Sequence, residues 1–342
     1  MSLSWFNQPL GITHEKTIMA TRISIGLIIS FVISTYFNIA DSAWVYISLF
    51  VCLSDQKTIG ASLNRCSLRA IATVSSVIYS LVIIWLFNNN SLTNLSGYII
   101  GTFLYTYLFA GTKQGYIATL GCITLAICFI NYNNLSEVFI RPTNVLIGIL
   151  IGLFTVRFFF PSRATKMLIL EIQNFLTDYA DLARYLASLV DLTPELHEQL
   201  ITLESSTSIL TYIPKFQRLL EEAEVETTIN SPFTTVSSEI LLSFRRMARY
   251  FASILAFIIS EEVTIDEDDK KNFFWVAEAL TKLKDNLVHL KSRNKLIVSL
   301  NLTVSPNQKA VPVMLRLITQ ECGVLEIKIH QLMRAIKTVK LE

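Results

Sequence analysis

The sequence predicts an all-α protein in two parts: a six-span membrane domain over residues 1–163, then a cytoplasmic bundle of about five helices over residues 164–342. Three observations predict it. Hydrophobic residues make up 52% of the 342-residue chain and charged residues only 16%, against about 25% charged in soluble globular proteins. The deficit is local, since residues 1–160 hold eight Lys/Arg and four Asp/Glu while the remainder holds 21 and 23. Apolar runs of the first half approach the roughly 20 helical residues that cross a bilayer, and the second half carries apolar residues at helical spacing instead.

The expected spans lie at about 19–39, 43–59, 68–87, 97–112, 115–131 and 138–160. The second and fourth are the shortest apolar runs. Charge placement supports six. With the N-terminus inside, the inner loops carry Lys16 and Arg22, then Lys57, Arg65 and Arg69, then Lys113, then Arg157, Arg163 and Lys166. The outer loops carry Asp41 and Glu137 and neither Lys nor Arg. That is the distribution of the positive-inside rule, with both termini cytoplasmic. Met1 to Lys16 shows no small-residue cleavage signal, so no removable signal peptide is expected.

Pro161 closes the last span. Beyond it, helices are expected over 165–189, from about Thr193 to Glu224 with a bend near Pro214, from Pro232 to Ile259, from Asp266 to Leu300, and over 310–339, with a loop at 301–308. Thr193-Pro194 and Ser231-Pro232 are helix starts. Asp266 to Asp269 is an acidic first turn that suits the positive end of a helix dipole. The apolar run from Phe251 to Ile259 is far short of a span and follows Arg245, Arg246 and Arg249, so it reads as a buried bundle helix.

Several chemistries are excluded. The chain has no GxxxxGK[ST], GxGxxG or GxSxG motif, which removes a built-in nucleotide site and a hydrolase elbow. The four histidines and five cysteines show no metal-ligand spacing, so no cofactor or metal is expected. The second half is slightly acidic without a basic tract, which argues against nucleic acid. The chain is not expected to be an enzyme.

The informative residues are the sparse charges beside apolar segments, because a charge in lipid usually faces a bundle interior or a water-filled path. Arg141 is the one basic residue expected on the outer side, at the start of span six beside Pro142, and could hold an anion. Lys57, Arg65, Arg69 and Lys113, on the inner side, could line a vestibule. Asp41, Asp55 and Glu137 are the acids available for proton coupling. Trp44, Trp85 and Tyr132 sit where an interfacial aromatic belt belongs. Tyr105, Tyr107 and Tyr116 flank spans four and five and could stack on an aromatic substrate. Gly148 and Gly152 form GxxxG in span six, which permits close helix approach within a protomer or across a dimer.

Two stretches resemble the fusaric acid resistance protein family. Trp44 to Val51, then Lys57-Thr-Ile-Gly-Ala-Ser-Leu-Asn-Arg65 and Arg69-Ala-Ile-Ala-Thr73, are similar to its second-to-third span signature, with Ala72 where the family pattern has Gly. Arg141 to Gly152 and Phe160-Pro-Ser-Arg-Ala164 resemble its last span and closing Pro-x-x-Ala. The wider group includes aromatic carboxylic acid efflux proteins and aluminium-activated malate transporters. The resemblance implies organic anion transport across a bacterial inner membrane, in a lipid bilayer, by a homodimer. It places the anion pathway on Arg141 first, with Lys57, Arg65 and Lys113 behind it. The alternative is a membrane-anchored scaffold whose helical domain binds a protein partner.

Overall fold

The structure, a computed structural model, describes residues 14–54, 56–86, 91–132, 134–188, 208–227, 231–259, 266–289 and 310–339. Asp55, Thr193, Pro194 and the expected 301–308 loop lie outside them. The chain divides into two compact units, Met1–Arg163 and Ala164–Glu342. All regular structure among the described residues is helical.

The first unit contains α1 (His14–Tyr36), α2 (Ala43–Leu53), α3 (Ile59–Leu86), α4 (Ser91–Phe109), α5 (Gly115–Ile130) and α6 (Leu135–Phe158). Three of these helices, within α1, α3 and α6, are long and apolar enough to cross a membrane, while α2 and α5 are apolar but shorter. α4 has 19 residues but is diluted by Thr93, Asn94, Ser96, Thr102 and Thr106. The second apolar segment stops at Leu53 and does not run on to residue 59. Ser54 is extended there, and Thr58 starts α3 by accepting the Ala61 amide at 3.1 Å. A threonine N-cap satisfies an otherwise orphaned first-turn donor, so the third helix begins about nine residues earlier than hydropathy suggests.

This unit buries apolar residues such as Leu49, Leu53, Leu125 and Phe129, but it also exposes many large apolar side chains and buries polar ones. Ile28, Phe31, Val32, Ile71, Val74, Ile78 and Phe103 are exposed, while Ser34, Ser48, Ser76, Ser80, Asn94 and Thr155 are buried. Helices in hydrocarbon gain nothing by hiding aliphatics from lipid, so small and hydrogen-bonding residues make their contacts. α2 packs on α6, and α5 packs on both α3 and α4. Gly148 is what lets α2 reach α6: a Cβ there would lie 2.4 Å from the Val45 carbonyl oxygen, whereas at Gly152 the nearest atom would be 3.8 Å away. The close approach thus falls on Gly148 and lies between helices of one protomer.

The second unit contains α7 (Ala164–Ser188), α8 (Ser208–Glu226), α9 (Pro232–Ile259), α10 (Glu267–His289) and α11 (Ala310–Val339). Ser231 accepts the Thr234 amide at 3.3 Å to open α9, and Asp266 accepts the Asp269 amide at 2.8 Å to open α10. α7 packs on α8 and α10, and α9 packs on α8 and α11. The core is one continuous cluster in which Phe175 stacks on Phe244, with ring centroids 3.6 Å apart, beside Tyr179, Phe216 and Phe251. The apolar stripe of Phe251, Ile254, Leu255 and Ile258 is wholly within it. Pro214 lies inside α8.

Candidate functional site

α6 places Glu137, Arg141 and Asn144 on one face, because residues three and four apart are neighbours on a helix. Arg141 and Asn144 reach the chain that joins α1 to α2, while Glu137 pairs with Arg141 on the same helix. Arg141 Nε donates to Asp41 Oδ2 at 3.1 Å and Nη2 to Glu137 Oε2 at 3.2 Å. The guanidinium also lies 5.9 Å from the centroid of the Trp44 ring, within cation–π range. Asn144 is buried, and its side-chain amide donates to the carbonyls of Ala40 at 2.7 Å and Asp41 at 3.1 Å. Asp41 is held in the left-handed region at φ 58°. Such a conformation persists in a residue other than glycine when its surroundings impose it, and here the Asn144 clamp does so.

Arg69 is the second cation of this place. It lies in the eleventh position of α3, is 5% exposed, and donates from Nε to Ser48 Oγ at 3.0 Å. Ser48 in turn donates to the Val145 carbonyl at 2.8 Å. One hydroxyl therefore ties α2, α3 and α6 together one turn along from Arg141. Arg69 and Arg141 line a single cavity with Trp44, Thr73, Thr124 and Pro142. No carboxylate side chain is among its lining residues. The Arg141 charge is answered beside the cavity by Asp41 and Glu137, whereas Arg69 is held there by the Ser48 hydroxyl.

The remaining expected residues divide. Arg65 lies one turn before Arg69, with its guanidinium 4.9 Å above the Tyr116 ring. Lys57 and Lys113 are exposed in the α2–α3 and α4–α5 connections and are absent from the cavity lining. The Tyr105 ring lies against Gly121, and its hydroxyl is 2.6 Å from Ser75 Oγ, so it packs α4 onto α5 and α3. Tyr107 is exposed and stacks on Phe103. The structure thus brings together Arg141 and Arg69, with Arg65 and Tyr116 a turn away. Arg69 stood in the sequence as one of several inner-side charges; its signal was the i, i+4 spacing from Arg65 inside a helical segment.

Among the described residues Arg22 is the other buried cation of this unit, at 2% exposure. It sits within α1 and not in a loop. Its Nε donates to the Phe159 carbonyl at 3.3 Å, and Nη2 donates to the Phe160 carbonyl and to Ser162 Oγ. It answers the unpaired carbonyls and the negative dipole end where α6 finishes.

In the second unit the titratable groups are held by the core. Burial, then a hydrogen bond to Asp178, pushes the Tyr212 hydroxyl above its usual range, and burial does the same to Tyr179. Burial pushes the Cys322 thiol up to about 12. All three stay neutral at physiological pH, and among the described residues no group of three His, Cys, Asp or Glu side chains forms a metal site.

Residues 28–155 match the family model described as fusaric acid resistance protein-like, and that match supports assigning the membrane unit of this chain to the fusaric acid resistance protein family. The matched stretch contains Arg65, Arg69 and Arg141. No curated protein matches the chain.

Proposed function

We propose, from the family of residues 28–155, whose members act in membrane transport, that this chain is a transporter or channel for organic anions, working in the efflux of aromatic or other carboxylates. The observation that carries this reading is the pair of arginines, Arg69 and Arg141, on one cavity, with Arg141 also paired to Asp41 and Glu137 and Arg69 bonded to the Ser48 hydroxyl. A carboxylate offers a guanidinium two acceptor oxygens, the best match in the side-chain repertoire. Arg65, one turn before Arg69 on α3 and over the Tyr116 ring of α5, extends the basic track. Lys57 and Lys113 stand in the connecting segments as vestibule charges.

In this reading α1 to α6 all cross a bacterial inner membrane, with both termini cytoplasmic and the helical unit in the cytoplasm, gating or dimerising the membrane unit of a homodimer. The shorter α2 and α5 are then accommodated by tilt and local thinning at modest cost. The test is flux into proteoliposomes from a panel of aromatic and dicarboxylic acids, with and without a pH gradient. Arg69→Ala and Arg141→Ala are expected to lower flux at least tenfold each. Wild-type flux that survives both substitutions would remove the cavity from the pathway, and no flux of any anion would remove the transport class.

A further inference from the structure

Two carboxylates surround one guanidinium at the Arg141 end of the cavity, one more anion than charge balance requires. The arrangement is built. Asp41 is left-handed, its carbonyl is gripped by buried Asn144, and Glu137 comes from one turn before Arg141 on the same helix. The groups facing Arg141 from the packed elements are Trp44 of α2, Arg69 of α3, and Thr124 with apolar neighbours of α5. Among the described residues Arg69 has no such companions; its Nε partner is the Ser48 hydroxyl.

We propose that Asp41 and Glu137 are resident anions that compete with a carboxylate ligand for Arg141, and so set how loosely this end of the cavity holds its ligand. The inference rests on the transport reading above. Asp41, Glu137 and a carboxylate ligand offer the guanidinium the same chemistry, so they compete for its N–H donors, and the Nε and Nη2 donors that face the two acids are already engaged. All three side chains are partly exposed, at 27% for Arg141, 45% for Asp41 and 39% for Glu137. Each pair is therefore weak and exchangeable. A permeating ion must be bound firmly enough to enter and weakly enough to leave. Arg69, paired with a hydroxyl, serves capture; Arg141, already supplied with carboxylates, serves release.

The test uses full-length protein in proteoliposomes with benzoate and malate as probes, reading the half-saturating concentration for flux. Asp41→Asn suits the site because asparagine tolerates the left-handed conformation, and Glu137→Gln keeps the shape of the side chain. Each is expected to lower the half-saturating concentration about three- to fivefold, the range of a partly exposed ion pair. In an Arg141→Ala background neither should shift it further. An unchanged half-saturation in both single variants, or an equal shift without Arg141, overturns the inference while the transport reading stands. If Asp41→Asn does not fold, Glu137→Gln decides alone. Flux of neither probe by the wild type overturns the transport reading for these probes and the competition with it.

Discussion

The two units of this chain solve opposite packing problems with the same element. In Ala164–Glu342 the helices hide one apolar cluster, and surface charges such as Lys271 and Asp268 stand in solvent, although Glu171, Asp269, Glu321 and Glu326 are buried. In Met1–Arg163 many large aliphatics, such as Ile28, Val74 and Ile78, face outward, and the interior mixes apolar side chains such as Leu49, Leu53 and Leu125 with Ser48, Ser76, Asn144, Arg22 and Arg69. The first arrangement is driven by removing apolar surface from water. The second cannot be, since lipid tails are as apolar as the core, and it relies on close approach and hydrogen bonds. Stability should therefore respond to different substitutions in the two units.

The largest effect is expected in the aromatic core. Phe244→Ala removes a ring stacked on Phe175 and should cost about 3–5 kcal/mol, read as a lower unfolding midpoint for the helical unit in the purified full chain. A cost below about 1 kcal/mol would break the contrast. In the membrane unit the sensitive position is a glycine. Gly148→Ala sets a Cβ against the Val45 carbonyl and should destabilise by about 1–3 kcal/mol, visible as loss of monodisperse protein in detergent, while Gly152→Ala should be tolerated. Equal sensitivity at both glycines would mean that α2 and α6 do not meet as described.

Arg22→Ala should cost about 1–3 kcal/mol by leaving the Phe159 and Phe160 carbonyls unanswered. Proteolysis after residue 158 would reveal it, and Arg22→Lys should recover part. Cys322 tests the helical core through pH. Its thiol is raised to about 12 from 9.0, so the folded state favours the protonated form. That preference is fully present below pH 9 and is lost as pH rises from about 9 towards 12. Maleimide labelling at pH 8 should be slow in native protein and fast after denaturation; rapid native labelling would contradict the burial. Least affected should be Lys271→Ala on the surface of α10, within about 0.5 kcal/mol by thermal melting.

Much of the helical architecture was legible in local chemistry. Pro232 opens α9 and Asp266 caps α10 where their side chains suggest it, and α11 spans Ala310–Val339, because caps and apolar periodicity act within a few residues. The end of α2 was not legible, because Thr58 begins α3 inside a stretch that hydropathy joins to the preceding helix. The site was half legible. Arg141 stood out as a cation among outer-side acids. That those acids, Asp41 and Glu137, grip it was not, since Asp41 is a hundred residues away in sequence.

The sequence alone determined helical content, the segregation of charge into the second half, and the family likeness of residues 28–155, because composition, periodicity and motif spacing are local properties. Only the tertiary structure decided which cations share a space. Arg65, Arg69, Lys57 and Lys113 are equivalent as charges along a chain. The crossing of α2 over α6 at Gly148 and the Ser48 bridge single out Arg69 and set it across one cavity from Arg141. A charge acquires a role from the dielectric and the partners around it, and those are supplied by helices far apart in sequence.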